Sequence, residues 1–399
     1  MLLVLQEQVL LRLPSSKEKV LGLYEADALV VGGGPTGLAA AIALRQTGAD
    51  VLLADALEPP IDKACGEGLM PDSRRELASL GIEPDEALGA PFLGIRFADM
   101  HSAVSAEFAR GNGLGLRRLV LHRLLLDRAA ALGVRMQWGS SVEFRAGEAP
   151  SLHGNTLRYR YLIGADGEAS RTRVWAGLNA GKVHTRRFGF RAHFEFPPEM
   201  VAHPGSSHVE VYWGEAGQVY VTPIGERRVC VAVLSRLHSP ATFQRIIDSI
   251  PVLRDALLHA KQLTPQRGAV STTSSFHRVA HKNIALVGDA SGSVDAITGE
   301  GLAMGFRQAL LLRDSIDEGS LERYQAQHGD ILRPPQRMAN LLLWMDRYPS
   351  LRRRVLRAFA SRPDLFAAML RVHLSEETWS AVALRHGTEF GRLLLSSAG

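Results

Sequence analysis

The stretch VGGGPTGLAAAIAL, Val31–Leu44, follows the apolar run Ala28–Val31 and continues into small and apolar residues, a pattern that predicts a strand, a tight turn and a helix. Gly32 permits the turn out of the strand, Gly34 lets backbone approach a pyrophosphate, and Gly37 with Ala41 lets the helix pack closely on the strand. Pro35 and Thr36 stand at the helix start, whose N–H groups aim at the phosphates. The next apolar run, VLLAD, ends in Asp55, eighteen residues after Gly37. A dinucleotide site needs an acid there to accept hydrogen bonds from ribose hydroxyls. Strand before, helix after and acid at this distance together predict a nucleotide cradle rather than an ordinary Gly-rich turn.

A chain of 399 residues exceeds one ordinary core, and 46% hydrophobic with 22% charged residues is the composition of a folded globular protein, so two subdomains are expected. The net charge of +5 is modest and the arginines are scattered, which argues against nucleic acid and suits an anionic cofactor. Cys65 and Cys230 are the only cysteines. They lie far apart in sequence, which argues against a disulfide framework or a Cys-based metal site and fits a reducing, cytoplasmic setting. No metal ligand set is expected. No apolar run approaches the roughly 20 residues of a membrane span. The opening MLLVLQEQVLLRLP has neither a basic leader nor a small-residue cleavage site, so residues 1–26 are read as an N-terminal extension, strand or short helix.

Past Asp55, EPPIDKACGEGLMP holds too many prolines and glycines for a regular element. It is expected to be a loop that brings Lys63, Cys65, Gly66 and Glu67 to the border of a cofactor ring. A helix follows in DSRRELASLGI, with Asp72 or Ser73 as candidate cap. Strands are suggested from Gly94 to Phe108, then an amphipathic helix ending at Gly133, with Arg117 and Arg118 at its start. Those two arginines are either solvated or reach inward to the cofactor. A second informative stretch, Tyr161–Arg173, ends a buried strand in Asp166-Gly167 and follows it with a capping Ser170. Open α/β sheets bind ligands at such strand ends. Between 186 and 265 the runs FGFRAHFEF, HVEVYWG, QVYVTPIG and RVCVAVLS read as antiparallel strands of a second domain. A third stretch, NIALVGDASGSVDAITGEGLAMGF, delivers Gly288-Asp289 at a strand end and Gly299-x-Gly301 at a helix start near Leu302. Backbone N–H groups there stabilise negative charge on a bound ring. From about Glu322 the chain is helical and basic.

Taken in this order, GGGPTG, GADG and GDASG…TGEG resemble the superfamily of FAD-dependent aromatic hydroxylases, the p-hydroxybenzoate hydroxylase-like flavoproteins, with its geranylgeranyl reductase branch. The resemblance covers roughly residues 27–325. It implies an α/β fold: a Rossmann-type FAD-binding domain (27–100, 110–185 and 270–325), an antiparallel β-sheet substrate domain (100–110 and 186–269) and a helical C-terminal region (326–399). It further implies that the first motif holds the ADP pyrophosphate. Asp166, Gly167, Ser170 and Arg173 then belong to a fingerprint tied to FAD and NAD(P)H. Asp289 lies on the ribityl chain, Thr298 to Gly301 with Gly299 and Glu300 lie against the flavin pyrimidine, and Arg118 lines the cofactor.

Ser291-Gly292 and Ala296 depart from the hydroxylase pattern, whereas DKACGEGL and ITGEGL stand closer to the reductase branch. VYVTP keeps only Tyr220 and Pro223 of the reductases' aromatic motif, and no Trp-rich halogenase motif is present. The resemblance thus implies first an NAD(P)H-using FAD monooxygenase that passes oxygen from O2 to an apolar or aromatic small molecule. The alternative is an FAD reductase of isoprenoid-type double bonds, with the Cys65 thiol donating a proton. In the monooxygenase Cys65 merely packs. A further alternative is a flavin-binding protein that docks on membrane or partner through its basic C-terminal helices, at Leu341–Met345 beside Arg352–Arg354.

Overall fold

The computed structural model describes residues 24–214, 216–239 and 241–396, so the extension read over 1–26 lies outside the described residues except for its last three. Short runs rich in Val, Leu and Ile satisfy their backbone groups by pairing, and where helices cover both faces they do so in parallel. Strand Glu25–Val31 pairs in parallel with Val51–Ala54 on one side and Arg158–Gly164 on the other. Ile284–Leu286 and Arg135–Gln137 extend the sheet in parallel, and Ala280–His281 adds an antiparallel edge. The register sets Val31 beside Ala54 and Gly164, and Gly164 beside Leu286. Four strands therefore end on one line, and each of the informative stretches leaves the sheet from that line.

The cradle helix Pro35–Gln46 is buried from Gly37 through Leu44. Its small residues bring it close to the turn. A Cβ on Gly37 would stand 1.8 Å from the Gly32 carbonyl oxygen, and one on Gly32, at φ +110°, 2.3 Å from that of Ala165. No other residue type fits at either position.

A second, nine-stranded sheet follows the order Gly292–Ser293, Arg267–Phe276, Gly181–Glu195, Arg228–Ser235, Gly217–Pro223, His208–Trp213, Gly94–Ala98, Ala103–Glu107, with Lys261–Gln262 beside Gly181–Glu195. The runs read between 186 and 265 pair antiparallel with one another, as expected, and one parallel pair, His208–Trp213 with Gly94–Ala98, extends the sheet on one side. Gly94–Ala98, the start of Gly181–Glu195 and most of Arg267–Phe276 fall on the FAD side of the boundaries expected at 100, 185 and 270. Alternation reveals a strand but not its partner, and the partner decides sheet membership.

The helix expected at 72 begins at Pro71 with Met70 as N-cap and no side-chain cap bond. Asp72 is instead buried and paired with Arg307 at 2.5 Å, so neither Asp72 nor Ser73 caps it. Helices Glu322–Arg347, Pro349–Ser361, Pro363–His373 and Trp379–Ser396 close the chain. Leu342, Met345, Phe359, Phe366 and Leu370 from these helices form one apolar cluster with Ile95, Val209 and Val211 of the large sheet. The stretch Leu341–Met345, read as a lipid-docking candidate, thus turns Leu342 and Met345 inward, and Arg352 is buried with its guanidinium 5.9 Å from the Trp213 ring. Trp344 and Tyr348 remain exposed. Among the described residues no helix is long and apolar enough to cross a membrane.

Candidate active site

At the line of strand ends a cavity of about 760 Å³ opens between the two sheets and the C-terminal helices. Its walls include Gly32, Gly34, Pro35, Thr36, Gly37, Asp55, Lys63, Cys65, Gly66, Arg118, Asp166, Gly167, Gly288, Asp289, Gly299 and Gly301. Residues from five separate segments are thereby brought to one place. Ser170, Arg173 and Glu300, also named from the sequence, are not part of the wall. The Glu300 side chain is 3% exposed and lies 3.4 Å from His373 Nδ1 instead of facing the cofactor space.

Gly34 tests whether a dinucleotide fits. It caps the cradle helix with ordinary extended dihedrals, and a Cβ there would meet nothing within 4 Å. A side chain at Gly34 would therefore clash with no protein atom and would fill cavity at the helix N-terminus, where a pyrophosphate belongs. Asp55 Oδ2 accepts the Gly33 N–H at 2.6 Å and Oδ1 accepts that of Leu57 at 2.8 Å, which fixes the acid beside the turn.

Asp166 is occupied by its own loop. It accepts Ser170 Oγ–H at 2.5 Å and the Thr172 N–H at 2.9 Å, while Ser170 caps Arg171–Trp175 through the Arg173 N–H. The Arg173 guanidinium donates to the Ala290 carbonyl at 3.0 Å, tying the second informative stretch to the third. In that third loop the Gly288 N–H donates to Gln308 Oε1 at 2.6 Å. His328 Nε2 lies 2.9 Å from Ser291 Oγ and 3.2 Å from Gln308 Nε2. Burial pushes the His328 ring down to about 4, so it is neutral at ordinary pH. Gly299, at φ +72°, turns the loop into helix Gly301–Asp317, whose N-terminus offers its N–H groups to the cavity.

The Cys65 loop is fastened to strand Gly181–Glu195 at both ends. Asp62 pairs with Arg191 at 2.5 Å and Arg267 at 2.7 Å, while Glu67 Oε2 lies 2.7 Å from His193 Nε2. Glu67 Oε1 also accepts the Arg118 N–H at 3.0 Å. Burial alone would raise the Glu67 carboxyl, but His193, the Arg118 N–H and Arg191 outweigh it and hold it below the usual range as a carboxylate. The Glu67 N–H donates to Cys65 Sγ at 3.4 Å, and Cys230 Sγ–H points to the Cys65 carbonyl at 3.6 Å. Donor atoms of Glu67, His193 and Cys230 all lie within 4.8 Å of one another, a metal-compatible spacing the sequence did not suggest. The Arg191 guanidinium 4.0 Å from Glu67 already supplies a cation there, which fits a hydrogen-bonded network better than a metal ion.

Sequence reading missed a deeper pair. Arg187 is buried against Asp295 at 3.2 Å and donates to Gln218 Oε1 at 2.5 Å, and Asp346 of helix Glu322–Arg347 lies 3.9 Å away. Asp295 lines the cavity, so this network joins the large sheet, the third loop and the C-terminal helices beside the site. The available signal was parity. In RRFGFRAH the residues Arg187, Arg191 and His193 share one face of a strand, and three basic groups on one face of an otherwise apolar strand need buried partners.

The chain is similar in sequence to several known proteins. Menaquinone reductase of Mycolicibacterium smegmatis is 27% identical over 329 residues, 75% of this chain and 78% of the relative. Digeranylgeranylglycerophospholipid reductase 1 of Methanothermobacter thermautotrophicus is 27% identical over 317 residues, 73% and 77% of the two chains. Ubiquinone hydroxylase UbiL of Rhodospirillum rubrum is 26% identical over 332 residues, 76% and 75%. The profile of a family described as FAD binding domain matches residues 25–318, well over half the chain. With its Gly-rich turn, Asp55 and strand-end loops gathered at one cavity, the chain belongs to the FAD binding domain family and is an FAD-dependent oxidoreductase.

Proposed function

We propose that this oxidoreductase is a reductase that adds two hydrogens across a double bond of a long, apolar, prenyl-type substrate. The observation that carries the reading is the far wall of the cavity. Beyond the cofactor loops it is built from Leu332, Met338, Leu342, Met345, Phe366 and Leu370 of the C-terminal helices, an apolar surface suited to a hydrocarbon chain. The Cys65 loop, held rigidly by Asp62 and Glu67, carries the residues that stand closest to the reductase branch in sequence.

In this reading the parallel sheet holds FAD, while the large sheet and the C-terminal helices hold the substrate. Bound FAD supplies the two-electron chemistry, with NAD(P)H as a transient reductant because the described residues contain a single cradle of the dinucleotide type. Gly32 to Gly37 would hold the pyrophosphate, Asp55 the ribose and Asp289 the ribityl chain. The start of helix Gly301–Asp317 would offset negative charge on the reduced ring. The apolar wall would limit the water that reaches the substrate.

Hydroxylation with O2 is the second reading, and the similarity to a protein named ubiquinone hydroxylase favours it. One experiment separates them. Enzyme reduced with NAD(P)H under nitrogen is mixed with a polyprenol or an apolar phenol, and the products are weighed by mass spectrometry. The reductase reading expects anaerobic flavin reoxidation and a product heavier by two hydrogens. A product heavier by one oxygen atom, formed only in air, overturns it.

A further inference from the structure

We infer that His373 donates the proton that completes double-bond saturation and that Glu300 stands behind it as the proton reserve, an assignment that rests on the reductase reading. Saturation needs a hydride on one alkene carbon, which FAD would supply when bound and reduced, and a proton for the other. An apolar wall offers few groups to give it.

His373 is the last residue of helix Pro363–His373, outside the stretch matched by the FAD family, and it lines the cavity close to Met369 and Leu370. Its side chain is 8% exposed. Nδ1 faces Glu300 Oε2 at 3.4 Å, which by ring geometry leaves Nε2 pointing away from the carboxyl group. Glu300 sits between Gly299 and Gly301, both of which line the cavity, so the pair spans from the flavin loop to the apolar wall.

Both groups are buried without ordinary partners. Neither Glu300 oxygen accepts a hydrogen bond, and His373 Nδ1 makes none. Buried polar atoms in that condition are rare and call for a reason. The charged neighbours do not supply one. Arg307, one of the charges that act on Glu300, is engaged by Asp72 at 2.5 Å and Glu76 at 3.2 Å, and Asp72 adds negative charge. Burial first, with Asp72, pushes the Glu300 carboxyl up to about 7 against the pull of His373 and Arg307. Glu300 therefore holds a proton up to about pH 7, well above an ordinary carboxyl group.

Cys65 has no such reserve. Its sulfur accepts the Glu67 N–H, and Glu67 is a carboxylate held by His193 and the Arg118 N–H, with no proton to pass on. In the relay, the hydride adds to one alkene carbon and the second carbon takes the proton from His373 Nε2. Nδ1 takes the Glu300 proton in the same event, and the pair is reset when Nδ1 returns that proton to the Glu300 carboxylate while solvent protonates Nε2.

The test uses holoenzyme, geranylgeraniol as probe and the variants Glu300→Gln, His373→Asn and Cys65→Ala, each checked for retained flavin. Under nitrogen the wild-type rate of flavin reoxidation should fall as pH rises through about 7, and that dependence should vanish in Glu300→Gln. His373→Asn should lower kcat at least about tenfold with KM nearly unchanged, the scale of a lost general acid. Cys65→Ala should cost less than His373→Asn and should leave the pH dependence in place. Independently of turnover, infrared spectra should show a carboxylic-acid band that disappears as pH rises through about 7 and is absent in Glu300→Gln. A wild-type rate in His373→Asn, a tenfold loss confined to Cys65→Ala, or no titrating band overturns the relay alone. Wild type that does not reoxidise under nitrogen overturns the reductase reading and the relay with it.

Discussion

Lys63 Nζ lies 3.8 Å from Asp289 Oδ2, joining the loop after the second parallel strand to the loop after the last. Both side chains are about half exposed, so the pair adds little to stability by itself. Asp289 lines the cavity, and the proposed FAD site uses it as an acceptor for cofactor hydroxyls. Asp289→Ala should weaken FAD binding roughly ten- to a hundredfold, about 1.5–3 kcal/mol for a hydrogen bond to a charged acceptor. Circular dichroism should stay near wild type. Fluorescence titration with FAD reads the affinity, and an unchanged value removes Asp289 from the site.

Gly34→Val separates fold from cofactor. The backbone there is extended and a Cβ meets no protein atom, so the variant should fold with a thermal midpoint close to that of FAD-free wild type. It should nevertheless purify colourless, because the branched side chain occupies pyrophosphate space. Full flavin content in this variant would show that the cradle is not where the phosphates lie.

Asp295→Ala leaves the Arg187 charge buried with weakened compensation. Arg187 and Asp295 side chains are 2% and 1% exposed, and breaking such a pair from one side costs roughly 3–5 kcal/mol. Urea unfolding should register this loss. A change below about 1 kcal/mol would mean that Asp346 and Gln218 hold Arg187 without Asp295.

His328 gives the fold an acid-sensitive element. Its folded value of about 4 lies below the unfolded value of 6.5, so the unfolded chain binds more protons between the two, and this contribution to stability is lost as pH falls from 6.5 toward 4. The full difference is about 3 kcal/mol. Glu300, raised to about 7, acts with the opposite sign, losing stability as pH rises from 4.5 to 7. Comparing wild type with His328→Gln cancels the Glu300 contribution. The gap between the two unfolding free energies should narrow on acidification through this window, and a gap that stays constant shows that His328 is charged in the native state.

Much of the cofactor side was legible because each part of it is local. A strand, a turn and a helix start lie within a dozen residues around Gly32, and Asp289 follows its strand directly. What stayed hidden depends on contacts between distant segments. Glu300 looked like a cofactor residue by position, but the direction of its side chain is set by helix Pro363–His373, more than sixty residues on. Asp166 sits where a ligand acid belongs, yet its oxygens are spent on Ser170 and Thr172, a local competition that spacing does not reveal. The sheet boundaries near 100, 185 and 270 moved for the same reason, since pairing partners and not neighbours in sequence place a strand.

The alignment of Val31, Ala54, Gly164 and Leu286 on one line has a consequence for biogenesis. The platform that meets the cofactor is incomplete until the ribosome has delivered Leu286 and the Asp289 loop behind it. A nascent chain ending before Asn283 would expose Arg158–Gly164 as an unpaired edge, open to wrong strand partners, and would lack the third contact loop. With the proposed FAD site, the cofactor should stabilise by mass action only chains that have been translated through this last strand. Riboflavin starvation should lower the yield of full-length protein while leaving the fate of shorter nascent chains unchanged.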